Sequence, residues 1–295
     1  DDSSRLTALI NEVMSDRVFE GLQMSRRDVH LLASQHPTAA SALIMLHQAF
    51  DQMREAAHQG GASRDETVTP KPLEAVRRFL EESGNYFPEI ETAANNFGVE
   101  LGSQHNVSRL HLMTLHLEQR YGVRTQIMPQ KVMGNLFREF DPHRSRLLLS
   151  ENLQEPQRIF QVAAQIALIG YRDIIDQVIN RVQLQDDAAT LLRITLSGYF
   201  AGAVMMPYTE FLAAAQETRY DLELLCNRFV ANFEQVCHRL TTLNKSNERG
   251  IPFFFLRVDE AGYISKRLSA GGIEFARNGG ACSRWIPHQA FRNPG

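Results

Sequence analysis

Leu196-Ser-Gly-Tyr-Phe-Ala-Gly-Ala-Val-Met-Met-Pro-Tyr-Thr-Glu-Phe-Leu212 is the stretch whose reading decides the fold. It joins the end of a helix predicted over 188–205 to the start of another predicted over 208–218. Its meaning depends on an upstream helix opened by Glu155-Pro156, whose middle reads Phe160-Gln-Val-Ala-Ala-Gln-Ile-Ala-Leu168. Val162, Ala163, Ile166, Ala167 and Ile169 make that helix a buried, apolar one. Residues four apart share a helix face, so Ala164 and Leu168 point the same way. Neither carries an atom that binds a metal. Gln165 between them is an amide, which accepts no proton near neutral pH.

In order and spacing the two segments resemble the core of the ImmA/IrrE-type zinc metallopeptidase domain. That family has Phe-x-x-Ala-His-Glu-x-x-His on the first helix and Glu-x-x-Ala-Asn-x-Phe-Ala-x-x-Leu-Leu-Met-Pro on the second. Here the scaffold residues stand and the chemistry does not. Ala164 and Leu168 hold the histidine positions, and Gln165 holds that of the catalytic glutamate. The family's third ligand is a carboxylate one turn before the Phe-Ala pair, where this chain has Ile194, Thr195 and Leu196. The resemblance implies a degenerate zincin, a pseudo-metallopeptidase with no catalytic residue, no metal and no enzymatic activity. Gln165 is either a plain core residue or the lining of a pocket left where metal and substrate once sat.

Composition narrows the class. The chain has 295 residues, 43% of them hydrophobic, which is enough for a sizeable core. A net charge of −3 gives no bulk basicity of the kind nucleic acid attracts. Cys226, Cys237 and Cys282 are too few for a disulfide framework. No apolar run is expected to span a membrane and no signal peptide opens the chain, so a reducing cytoplasm fits.

Helical spacing organises the first part. Leu6, Leu9, Ile10 and Val13 begin a helical region over residues 4–59, followed by a polar, glycine-bearing linker. Pro72 starts a new helix. Ser108 to Tyr121 is amphipathic, and Gly122 is placed to end it. Strands are predicted over 123–128, 136–140 and 146–149, with Asp141-Pro-His-Arg as a turn. Helices follow to Leu243. After Gly250 the texture becomes β-rich, with a hairpin predicted from Ile251–Val258 and Tyr263–Leu268 around Asp259-Glu-Ala-Gly262. The expected fold is α+β and predominantly helical. Its expected parts are a helical dimerisation region over 1–70, the degenerate zincin-like domain with a small sheet over 71–245, and the start of a β-rich domain over 246–295.

The tail carries a second resemblance. Phe233-Glu-Gln-Val-Cys-His-Arg-Leu240, Arg249-Gly-Ile-Pro-Phe-Phe-Phe-Leu-Arg-Val-Asp-Glu-Ala-Gly262, Ser265-Lys-Arg267 and Gly279-Gly-Ala-Cys-Ser-Arg-Trp285 resemble the short-chain fatty acyl-CoA regulators. That family of bacterial transcription factors controls propionate, acetate and related carbon pathways. Its plan is a helix-turn-helix, a helical linker, a degenerate ImmA/IrrE-like domain and an acyl-CoA-sensing domain. The resemblance implies a cytoplasmic homodimeric sensor whose effector is a short-chain acyl-CoA, with no other cofactor. It also implies DNA contact through a helix-turn-helix domain that these residues lack, as in a truncated fragment.

The residues themselves allow two readings of the tail. Coenzyme A needs cationic donors for its phosphates, and Arg257, Lys266 and Arg267 lie in one short region. Phe253, Phe255 and Arg257 alternate along a strand, so they share a face. Cations beside aromatic surface suit adenine or pantetheine, with Trp285 as a further lining residue. The alternative is a solvated basic rim over an ordinary β core. The expected ligand-binding set is Phe253, Phe255, Arg257, Lys266, Arg267 and Trp285. The rival functions are a metallopeptidase with unorthodox ligands and a protein-interaction module with no small ligand.

Overall fold

The computed structural model describes residues 72–102, 107–134, 136–258 and 264–270, with helical positions at Thr7, Leu9, Ile10, Val13, Met14, Val29, Leu32 and Ile44. The chain divides into two compact units, Asp1–Val68 and Thr69–Gly295. In the first, Ile10, Val13, Val29 and Ile44 are buried together, with Leu9, Met14 and Leu32 packed against them.

The second unit opens with α1 (Pro72–Glu82), α2 (Pro88–Leu101) and α3 (Arg109–Tyr121). Proline at the first position of α1 and α2 has no N–H to leave unsatisfied there. The Ser108 side chain caps α3 by accepting from the His111 N–H. Gly122 ends it at φ 68°, a left-handed conformation that suits a residue without Cβ.

A three-stranded sheet follows, made of β1 (Arg124–Met128), β2 (Arg138–Asp141) and β3 (Arg146–Ser150), with the short α4 (Gln130–Met133) between the first two. The order is β1-β3-β2, with β1 parallel and β2 antiparallel to β3. Leu147 and Leu149 point from β3 into the core.

The rest is mainly helical: α5 (Glu155–Gly170), α6 (Arg172–Ile179), α7 (Asp186–Met205), α8 (Tyr208–Glu217), α9 (Leu222–Phe229) and α10 (Phe233–Leu240). A minimal ladder of β4 (Asn244–Lys245) and β5 (Glu248–Arg249) follows, then the antiparallel hairpin β6 (Phe254–Val258) and β7 (Ile264–Ser269). The fold is therefore α+β and rich in helix.

α7 is the axis of the core and packs against α1, α2, α5, α6 and α10. By length and composition it is also the one described helix that could cross a membrane, contrary to the expectation that no segment would. Half of that apolar window is buried within the fold, where Leu192, Leu196, Phe200 and Ala201 face other helices.

One buried ion pair ties this layer together. Arg239 of α10 is 2% exposed and Glu91 of α2 is 9% exposed. The guanidinium meets the carboxylate twice, at 2.6 and 2.9 Å, and Arg239 also donates to the Met206 carbonyl at 2.8 Å. Tyr199 of α7 donates its hydroxyl to Glu91 at 2.6 Å. Burial alone would lower the Arg239 pKa, but Glu91 outweighs it and holds the arginine firmly charged. For Tyr199, burial and then Glu91 push the phenol well up, so it stays a donor. Removing one partner of such a pair leaves an uncompensated buried charge, at roughly 3–5 kcal/mol.

Candidate functional site

The face of α5 that would carry a metal in a zincin does not fit one. Ala164 and Gln165 are 4% and 3% exposed, and Ala163, Ile166 and Ala167 are buried around them. Ala164 and Leu168 contribute no donor atoms, and Ile194 on α7 contributes none either. Among the described residues no group of three or more His, Cys, Asp or Glu side chains is placed to hold a metal ion. Gln165 is buried on this face. It does not line the cavity described next.

A cavity of about 320 Å³ opens where α1, α5, α7, α10 and β7 meet. Leu80, Phe160, Leu196 and Leu268 supply its apolar wall. Along α7, Thr195, Gly198 and Gly202 line it at helical spacing. The glycines are what make the space. A Cβ on Gly198 would come 3.4 Å from Phe160 Cζ, and one on Gly202 would meet nothing within 4 Å. Tyr199 and Arg239 reach the same cavity, already engaged with Glu91. His238 of α10 and Lys266 of β7 complete it on the hairpin side.

The hairpin docks on α10 through a charged corner. One oxygen of Glu234, Oε1, lies 3.4 Å from Arg257 Nη1, 3.6 Å from Lys266 Nζ and 3.2 Å from His238 Nε2. Lys266 Nζ is 3.4 Å from His238 Nδ1. Lysine only donates, so Nδ1 is the acceptor and the ring proton sits on Nε2. That N–H is close to Glu234 but poorly aligned, and it has no well-formed hydrogen bond.

Burial, and then the charges of Lys266 and Arg257, push the His238 pKa down to about 3, so the ring is neutral at working pH. Burial likewise lowers the Lys266 pKa, with Glu234 opposing it. Phe255 meets the His238 ring edge to face at 4.6 Å, and Phe253 packs on Tyr220 at 5.4 Å.

The structure thus brings together four of the expected residues. Phe253, Phe255 and Arg257 share one face as their alternation predicted, and Lys266 pairs with Arg257 across the hairpin. Arg267 is turned the other way. It is 9% exposed and bonds Glu81 of α1 at 2.8 Å, with Glu74 at 3.9 Å. Neighbouring strand residues point to opposite faces, so Lys266 and Arg267 could not both join Arg257. Trp285 lies outside the described residues. Sequence reasoning missed Glu234, His238, Gly198 and Gly202. The one available signal was Glu234 and His238 four apart on an amphipathic helix.

A second cavity, of about 820 Å³, lies between the starts of α3 and α5 and the ends of α7 and α9. Its rim mixes Arg109 and Arg228 with Glu155 and Glu210, and Arg228 is already bonded to Glu217 at 2.6 Å. None of the expected residues that the structure describes lines it.

The profile of the IrrE N-terminal-like domain matches residues 118–241, and that of the short-chain fatty acyl coenzyme A regulator, C-terminal, matches residues 242–295. The chain is 35% identical to the HTH-type transcriptional regulator PrpR of Mycobacterium tuberculosis, over all of this chain and 61% of that protein. It is 37% identical to the propionyl-CoA carboxylase regulator of Cereibacter sphaeroides, over all of this chain and 62% of that protein. The chain thus spans about three fifths of the length of these relatives. Among solved structures, a Mycobacterium tuberculosis transcriptional regulator superimposes with a TM-score of 0.71 at 39% identity, covering 76% of this chain and 67% of that one.

Proposed function

The chain belongs to the short-chain fatty acyl coenzyme A regulator family, built on an IrrE-like domain, and from that premise we propose that it senses a short-chain acyl-CoA. Its second unit is the effector-binding part of a transcription regulator of carbon-assimilation genes, and it is not an enzyme. The observation that carries this reading is the place of Lys266, which lines the apolar cavity and also belongs to the cationic corner. A ligand with a short apolar end and a phosphate-bearing end would meet both surfaces at once.

A cavity of about 320 Å³ is near the small end of ligand sites. It suits an acyl group and part of the arm behind it, leaving the nucleotide outside near Arg257 and Lys266. Phe253 and Phe255 then hold the hairpin in place through Tyr220 and His238. Dimerisation through residues 1–70, DNA binding by the whole regulator and a cytoplasmic setting belong to the same reading. Relatives named as an HTH-type transcriptional regulator and a propionyl-CoA carboxylase regulator support it.

Titration calorimetry with coenzyme A and its acetyl, propionyl and butyryl thioesters tests the proposal. One short thioester should bind best. Arg257→Ala should weaken all of them by about 10–100-fold, the loss of one charge-assisted hydrogen bond, without changing their order. Absence of binding by every thioester would favour the interaction-module reading. An Arg257→Ala protein that binds like the parent would move the phosphates elsewhere.

A further inference from the structure

Three donors from three separate elements converge on a single carboxylate oxygen, Glu234 Oε1: the Arg257 guanidinium, the Lys266 ammonium and the His238 Nε2–H. Such convergence is how proteins seat one oxygen of a phosphate. Here the seat is taken by the protein's own anion.

We propose that Glu234 is a built-in counter-anion that occupies the phosphate seat and must swing out when ligand binds. It thereby sets the concentration at which the protein responds. This inference rests on the acyl-CoA reading for the identity of the ligand, and on the geometry alone for the competition.

The side chain is suited to such a move. Glu234 lies in the first turn of α10 and is 42% exposed, so it can turn into water without opening the core. The His238 N–H it covers makes no aligned bond with it, so an oxygen better placed than the carboxylate gains a donor that Glu234 leaves unused. Lys266 stays anchored by His238 Nδ1 when Glu234 leaves. The seat therefore persists without its occupant.

The test uses inorganic pyrophosphate, coenzyme A and propionyl-CoA with the full chain, comparing wild type with Glu234→Gln and Glu234→Asp. Gln keeps the shape and removes the charge. Displacement predicts that Glu234→Gln binds pyrophosphate and coenzyme A about tenfold more tightly, because a like charge no longer faces the incoming anion. Glu234→Asp, with a shorter reach, should fall between the two and serves as the readout if the glutamine variant does not fold. Unchanged or weaker binding of pyrophosphate by both variants overturns the proposal, because Glu234 would then be a support for the seat and not its occupant. The acyl-CoA reading fails separately, when pyrophosphate binds and gains from Glu234→Gln but propionyl-CoA binds no better than pyrophosphate.

Discussion

The α5 face and the α10 corner are built from opposite materials. On α5, the positions where a zincin keeps its metal and base hold Ala164, Gln165 and Leu168, and the surroundings are apolar and packed. At α10, one carboxylate, two cations and an imidazole crowd together beside an open cavity. The first region has become core. The second is only partly buried, and its charges are paired across elements that could separate. The α5 face is closely packed where it offers no metal-binding atom. At the seam between α10 and the hairpin, by contrast, polar groups and free volume meet.

Breaking the Arg239 pair should have the largest effect on this contrast. Arg239→Ala strands the Glu91 charge in the core and should lower stability by about 3–5 kcal/mol, read as a lower urea midpoint. Lys266→Ala, on the same cavity but half-buried, should leave the midpoint nearly unchanged. Equal losses would show that the seam is as structural as the core.

The next effect is in pH. His238 is neutral when folded, with a pKa of about 3 against an ordinary 6.5. The unfolded chain therefore takes up a proton that the folded one refuses. The stability this residue preserves is complete above about pH 6.5. It is lost as pH falls toward 3, at a slope of about 1.4 kcal/mol per pH unit. Unfolding curves for wild type and His238→Gln at pH 7 and pH 5 should diverge by that slope, with the variant less sensitive to acid. Parallel curves would place the imidazole in water.

A smaller and opposite change is expected at Gly202. A Cβ there meets no neighbour within 4 Å, and the residue sits inside a long helix. Gly202→Ala should raise stability by about 0.5–1 kcal/mol, seen as a higher melting temperature. It should also narrow the cavity and disfavour the longest acyl chain. The smallest expected signal is at α5, where elemental analysis of the purified chain should find no stoichiometric zinc. One zinc per chain that is lost on mutating neighbours of Ala164 would reverse the contrast between the two regions.

Local signals made the helices legible. α5 runs from Glu155 to Gly170, as Glu155-Pro156 indicated, and α3 lies between the Ser108 cap and Gly122. The hairpin was visible from its β-rich halves, and so was the shared face of Phe253, Phe255 and Arg257. What stayed hidden depends on partners far apart in sequence. Glu91 and Arg239 are 148 residues apart, and each reads alone as an ordinary charge on an amphipathic helix. The parallel pairing of β1 with β3 needs the intervening chain to cross over, which periodicity does not report. The β4–β5 ladder is only two residues per strand, too short for any alternation. The cavity was invisible because it is made by what Gly198 and Gly202 lack. Arg267 looked like a third phosphate ligand because it adjoins Lys266, and that adjacency is what turns it away.

Arg267 has a mechanical meaning of its own. Its grip on Glu81 fastens the hairpin to α1, the first described helix of the second unit, which begins four residues after the first unit ends at Val68. A displacement of the hairpin must either drag α1 along or tear the guanidinium from its carboxylate. In the first case the fastening acts as a tie-rod, handing motion at the seam to α1. In the second it acts as a fuse, giving way while α1 stays still.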